Sequence, residues 1–332
     1  MSESMRSILV TGALGQIGAE LTPALRERYG RTRVIASDLA KAQPSDDFYE
    51  RLDCVEPAGV ADLVERRQVG VIYHLAALLS AAAEGKPQVA WTVNMSGLYN
   101  VLEAARRFGC KVFFPSSIAA FGPTTPRLGT PQITIQRPTT IYGVTKAAGE
   151  MLCDYYVARF GVDARGLRLP GLVSFAAPPG GGVTDYAVEM FRAAVRGERY
   201  SCFLAANTRL DMMYMPDAIR AIIELMESDP QRLRFRNAYN VTGMSVTPRE
   251  IAAEIRKLIP TFDEDYRVDP LRQAIADSWP QSLDAGAARE DWGFAPRFDL
   301  AAMTSDMLAQ LTSAAGAFDQ PHEGRNANAT LG

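Results

Sequence analysis

Short apolar runs that alternate with helical patterns, and a glycine-rich turn that closes the first run, predict an α/β fold. The expected architecture is a Rossmann-like, doubly wound parallel sheet with a smaller C-terminal α/β domain. A chain of 332 residues accommodates both, at roughly 100–200 residues per domain.

The elements follow in order. Ser7–Thr11 (SILVT) reads as a buried strand and Gln16–Arg28 as a helix. Arg33–Asp38 is a second strand, and Tyr49–Leu52 is strand-like. Val60–Gln68 is a short helix before a strand at Val69–Leu75. Trp91–Phe108 is a long helix, with Leu98, Val101, Leu102 and Ala105 at helical spacing. Lys111–Ser116 is a strand, Pro138–Phe160 a helix and Asp163–Leu169 a strand. Such alternation implies βαβ units and a parallel sheet covered on both faces.

After Pro170 the pattern loosens. Ala176–Val183 (AAPPGGGV) holds too many breakers for a regular element. Its glycines at 180–182 predict a flexible connection that lets the small domain close over a ligand. Thr184–Arg196 reads as a helix, Arg209–Met215 as a strand, Asp217–Ser228 as an amphipathic helix and Ala238–Thr242 as a strand. Residues 247–259 form a helix whose start carries Thr247, Pro248 and Glu250. The expected division is a dinucleotide domain at 1–172 with returning elements near 209–243, a substrate domain at 173–208 and 244–312, and a disordered tail at 313–332.

Composition narrows the function classes. Thirty-five basic against 38 acidic residues give a charge of −3, which argues against a nucleic-acid binder. The two histidines (His74, His322) and four scattered cysteines (Cys54, Cys110, Cys153, Cys202) lack the spacing of a zinc site or a disulfide scaffold, so no metal is expected. The longest apolar run, Val71–Ala83, is short of the roughly 20 residues that span a bilayer. No signal peptide is evident. A soluble cytoplasmic protein, bound to neither membrane nor nucleic acid, is expected.

The first strand runs into Gly12-Ala-Leu-Gly15-Gln16-Ile17-Gly18 and a helix, and Asp38 stands at the end of the second strand. Glycines let backbone approach a pyrophosphate, and a helix N-terminus favours an anion. A carboxylate at Asp38 would accept from the adenosine ribose hydroxyls and repel a 2′-phosphate, so NAD is expected over NADP. A structural turn with a solvated Asp is the alternative.

Tyr142-Gly-Val-Thr-Lys146 places two polar side chains on one helix face. Ser116 and Ser117 end a strand at the carboxyl edge of the sheet, where ligands of open parallel sheets bind. With Gly12, Gly15, Gly18, Leu75-Ala-Ala77 and Asn94, these residues resemble the extended short-chain dehydrogenase/reductase superfamily over about residues 5–300. The resemblance implies that Tyr142 is the general base or acid, that Lys146 lowers its pKa and holds the nicotinamide ribose, and that Ser117 orients the substrate oxygen. Chemistry agrees, because a free Tyr has a pKa of about 10 and needs a nearby cation to act as a base near neutrality.

Matching positions add Gln16, Ile17, Leu39, Leu75, Ala76, Ala77, Ser116, Leu169 and Pro170 to the cofactor contacts. Asp53 and Cys54 touch the adenine in this reading, or Asp53 only caps the next helix. Asn94 lies near the active site, or is a surface residue.

Longer strings narrow the branch. Leu78-Leu-Ser80-Ala, Pro115–Pro126, Pro170-Gly-Leu, Pro178–Ala187, Met212–Met215 and Asp277–Asp284 are similar to the short-chain L-threonine 3-dehydrogenases, relatives of the UDP-galactose 4-epimerases. This likeness implies oxidation of L-threonine at C3 to L-2-amino-3-oxobutyrate with NAD as hydride acceptor. Ser80 and the amides around Gly181 and Gly182 would then suit the substrate carboxylate. Thr184 and Asp185 would meet the ammonium or merely cap a helix. Trp279 would wall the substrate methyl or pack in the small domain; Met213 and Tyr214 fit packing better than binding. A homodimer through Trp91–Phe108 and Pro138–Phe160 is expected by analogy.

Two other classes share these features in part. A nucleotide-sugar epimerase or dehydratase would need a basic cluster for a diphosphate, and Arg209, Arg220 and Arg272 form none in sequence. A redox-sensing NAD-binding module would have no need of Ser117, Tyr142 and Lys146 together.

Overall fold

The computed structural model describes residues 6–40, 46–176 and 180–318. Its first half comprises β1 (Ser7–Thr11), α1 (Gly18–Tyr29), β2 (Val34–Asp38), β3 (Tyr49–Arg51), α2 (Pro57–Arg66), β4 (Val69–His74), α3 (Ser80–Glu84), α4 (Pro87–Trp91), α5 (Gly97–Phe108), β5 (Lys111–Ser117), α6 (Ile141–Phe160) and β6 (Ala164–Leu169). The second half adds β7 (Gly171–Val173), α7 (Asp185–Val195), β8 (Tyr200–Cys202), β9 (Leu210–Tyr214), α8 (Met215–Glu227), β10 (Tyr239–Asn240), β11 (Met244–Val246), α9 (Pro248–Leu258), β12 (Glu264–Tyr266), α10 (Pro270–Asp277), α11 (Gly286–Trp292) and α12 (Leu300–Phe318).

Seven strands form a parallel sheet in the order β10-β6-β5-β4-β1-β2-β3. Strand alternation assigns the two faces. Ile8 and Val10 join Leu21 and Leu25 of α1 and the apolar stripe of α8. Leu9 and Ile35 join α2, α5 and α6 on the other face. The strand order reverses beside β1, so the ends of β1, β4, β5 and β6 share the edge where a ligand binds.

A third core lies among α7, α9, α12 and the small sheets β11-β9-β7 and β12-β8. The predicted return near 209–243 is divided. β10 joins the large sheet beside β6, whereas β9 pairs with β7 and β11. Helix starts also move to where proline is tolerated. α2 begins at Pro57 and α8 has Pro216 in its first turn, because the first turn needs no amide donor there. At α9, Thr247 and Glu250 form a reciprocal capping box.

The predicted helix at 91–108 is longer and irregular. It starts at Pro87 and contains a π turn at Thr92–Ser96 between α4 and α5. The last helix reaches Phe318, beyond the predicted start of the tail at 313; residues 319–332, with His322, lie outside the described residues. No helix among the described residues is long and apolar enough to cross a membrane.

Candidate active site

The glycine loop is closed tightly against the next strand end. Gly12 has φ of +66°, and a Cβ there would stand 2.6 Å from the Ala76 nitrogen. A Cβ on Gly18 would stand 2.4 Å from the Gly12 oxygen. Only glycine lets β1, α1 and the Leu75–Ala77 segment come this close. The loop is braced by Asp38, whose Oδ2 accepts from the Leu14 amide at 3.1 Å.

Beside the loop lies a cavity of about 240 Å³. Gly12, Gly15, Asp38 and Leu39 bound one side, and Asp53, Cys54 and Leu75–Ala77 the other. Leu52, Val55 and Val93 complete the wall and lie outside the sequence-predicted set. Asp53 lines the cavity and accepts from the Val55 amide at 2.9 Å in the loop before α2, which starts without a side-chain cap. The residues fit a dinucleotide. Glycines open the backbone, Asp38 offers acceptors, and the Gln16 Nε2 donor is buried without a partner. Ile17 and Leu169 instead pack in the core between the sheet, α1 and α8, and Pro170 is buried.

Two predicted cofactor contacts, Asn94 and Ser116, make hydrogen bonds within the protein. Asn94 is buried in the π turn, and its amide is fully used. Oδ1 accepts from the Leu78 amide at 2.7 Å, while Nδ2 donates to the Leu78 carbonyl at 3.2 Å and to Thr145 Oγ1 at 3.1 Å. It therefore ties the end of the Leu75–Leu78 segment to α6. The Ser116 hydroxyl donates to Glu150, on the opposite strand face from Ser117.

Ser117, Tyr142 and Lys146 do come together. The Ser117 hydroxyl lies in the neighbourhood of the Tyr142 phenol. Lys146 Nζ lies 5.4 Å from the Tyr142 ring centre and donates to the Pro115 carbonyl at 2.6 Å. Burial pushes Tyr142 up to about 12, with the neighbouring Ser117 hydroxyl opposing. Burial likewise lowers Lys146 to about 8, opposed by the Glu150 carboxylate. The expected lowering of Tyr142 by Lys146 is thus not met in this structure, where burial dominates. His74, one strand over, is held neutral by burial at about 3, with the Lys146 charge adding to the effect. Its Nδ1 pairs with Thr11 Oγ1 at 2.9 Å.

Around this trio, α6 is fixed at its start and at its centre. Thr140 accepts from the Gly143 amide, and Glu84 of α3 accepts from the Ile141 amide at 2.7 Å. Two turns in, Glu150 pairs with Arg168 of β6 at 2.8 Å, both buried, and accepts from Gln136 at 2.8 Å. Sequence reasoning missed this network. Its signal was the spacing of Tyr142, Lys146 and Glu150 at every fourth position of one helix.

The substrate-side expectations divide. Ser80 is buried at the first residue of α3. The Gly181 and Gly182 amides, predicted as carboxylate donors, both donate to Asp185 Oδ2 at 2.7 Å. Asp185 thus gathers the two amides that the sequence offered to a carboxylate. Thr184 begins the helix without a side-chain cap bond. Trp279 packs in the small-domain core, and the Tyr142 ring packs against the same core. Met213 and Tyr214 are fully buried, as packing residues.

Comparison with known proteins adds three findings. The profile of the NAD dependent epimerase/dehydratase family matches residues 8–242. An uncharacterized epimerase/dehydratase of Staphylococcus saprophyticus is 51% identical over 308 residues, 92% of this chain and 96% of that protein. Two solved structures superpose with TM-scores of 0.90, each covering 92% of this chain and 99% of the other. One is the holo form of a GalE-like L-threonine dehydrogenase from Cupriavidus necator, 53% identical. The other is a monomeric L-threonine 3-dehydrogenase of metagenomic origin in its apo form, 46% identical.

Proposed function

The chain belongs to the NAD-dependent epimerase/dehydratase family, and within it we propose that it oxidises L-threonine at C3 to L-2-amino-3-oxobutyrate. NAD is the cofactor, and when bound it supplies the hydride acceptor. The observation that carries the reading is the grouping of Ser117, at the end of β5, with Tyr142 and with Lys146, whose Nζ is 5.4 Å from the Tyr142 ring centre, on the sheet that also bears the glycine loop. Likeness to L-threonine dehydrogenases at 53% and 46% identity supports the substrate.

Ser117 holds the C3 oxygen, and Tyr142 takes its proton as the C3–H bond breaks. For Tyr142 to act as the base, Lys146 beside its ring and the positive charge of bound NAD would have to offset the burial that raises its pKa. Asp38 selects NAD through the ribose hydroxyls. Ser80 and Thr184 are the hydroxyls left to meet the carboxylate and ammonium once the amides of Gly181 and Gly182 are assigned to Asp185.

The test is NADH formation with L-threonine, D-threonine, L-serine and allo-threonine, then turnover of a UDP-sugar. L-Threonine is expected to be oxidised and the UDP-sugar left unchanged; the opposite pattern overturns the reading in favour of an epimerase. Tyr142→Phe should lose about 10²–10⁴-fold in kcat while still binding NADH. A folded Tyr142→Phe protein with normal turnover refutes the mechanism.

The homodimer is also proposed. Trp91 and Tyr99, with Val144, Met151 and Tyr155 of α6, leave large apolar side chains exposed on the two helices named for it.

A further inference from the structure

Glu20 stands in the first turn of α1, two residues past the last glycine of the cofactor loop. Its carboxylate accepts the Ser174 hydroxyl at 2.5 Å, and the nearby Ala176 amide also favours its charged form. Ser174 is fully buried and directly follows β7. No lysine or arginine among the described residues pairs with Glu20, and burial raises its pKa. Desolvating a carboxylate without a cation is costly, and here only the two donors from 174–176 offset it.

The same segment is held from the other domain. Arg192 of α7 donates to the Phe175 carbonyl at 3.0 Å. α7 also opens with Asp185, which gathers the Gly181 and Gly182 amides. Residues 174–176 are therefore gripped by the helix that starts at the dinucleotide loop and by the helix that starts at the substrate-side turn.

We infer that Glu20 is a positioning residue that couples the two halves of the site: through Ser174 and Ala176 it transmits the placement of the cofactor loop to the substrate side. This rests on the threonine reading above. A cofactor that fixes the first turn of α1 fixes Glu20, and with it the segment that α7 shares. Linkage then requires each ligand to tighten the other by the same factor.

NADH and L-threonine are a non-reacting pair, so the coupling is directly measurable. NADH affinity is read by its fluorescence with and without saturating L-threonine, alongside steady-state kinetics. In the wild type, L-threonine should tighten NADH by about tenfold. In Glu20→Ala and in the milder Ser174→Ala, which removes one hydroxyl, the ratio should fall toward one. The KM for L-threonine should rise about as much as the coupling lost, with kcat nearly unchanged. Glu20→Gln keeps an acceptor and should restore part of the coupling, which a loss of bulk stability would not predict. An unchanged ratio in folded Ser174→Ala and Glu20→Ala overturns the inference. A wild type that oxidises L-threonine with uncoupled ligands overturns this inference alone. One that does not oxidise it overturns the functional reading as well.

Discussion

Arg168→Met strands the buried Glu150 charge on α6. The Arg168 guanidinium reaches Glu150 with Nε at 3.0 and 3.1 Å and with a terminal nitrogen at 2.8 Å. Its other terminal nitrogen donates to the Gln132 carbonyl at 2.8 Å and to Asn240 Oδ1 at 3.1 Å. Methionine fills the stem's volume but offers no donor. Glu150 keeps only Ser116 and Gln136. Removing one partner of a buried pair costs about 3–5 kcal/mol, more than the pair's own net worth, because the survivor remains desolvated. At about 2 °C per kcal/mol for a larger domain, the melting midpoint should fall on the order of 6–10 °C.

Urea unfolding followed by tryptophan fluorescence and circular dichroism measures the free energy. The decisive comparison is Arg168→Met with the double variant Arg168→Met/Glu150→Gln. The double variant carries no stranded charge and should recover about 1 kcal/mol or more, a coupling typical of contacting residues. A single variant within about 1 kcal/mol of wild type would refute the argument from desolvation, as would a double variant no more stable than the single. Ser116 neighbours Ser117, so the single variant should also lower turnover of L-threonine.

Three further expectations follow from single contacts. Gly18→Ala drives a methyl to 2.4 Å from the Gly12 oxygen; at about 1–3 kcal/mol for overpacking, NADH affinity measured by fluorescence should drop roughly 5- to 150-fold. Burial pushes the fully buried Asp211 up to about 7 from 3.8, against bonds from Thr242 and the Leu283 and Met212 amides. The native state therefore binds that proton more tightly than the unfolded chain, so its stabilisation is full below about pH 4 and is lost as the pH rises through 7. Asp211→Asn should flatten that part of the stability profile in urea titrations from acid to neutral pH. Met151→Glu, on the exposed face of α6, should convert a dimer to a monomer in sedimentation; a wild type that already sediments as a monomer refutes the assembly.

The large sheet was legible because buried parallel strands are written as continuous apolar runs such as Leu9–Val10 and Val71–Tyr73. The small domain was not, because β7, β8, β11 and β12 have three residues each, too few to carry a period. The glycine loop and the Ser117–Tyr142–Lys146 set were readable from spacing against the strand ends. What spacing could not reveal was which polar groups satisfy one another. Asp185 turns back onto Gly181 and Gly182, and the Asn94 amide is spent on Leu78 and Thr145. Pairings of this kind depend on backbone direction, which a residue pattern does not contain.

The π turn at Thr92–Ser96 bears on how relatives of this chain should be aligned. An α-helix advances about 100° per residue, and a π turn holds one residue more than the α-turn it replaces. Asn94 faces Leu78 in one angular frame, while Leu98, Val101 and Leu102 face the sheet in the next. Deleting a single residue here would merge the frames. The sheet contacts could survive, but the asparagine would swing to a different side of the rod. A one-residue gap at this place in an alignment, negligible by length, would therefore mark a relative whose Leu75–Leu78 segment needs another anchor.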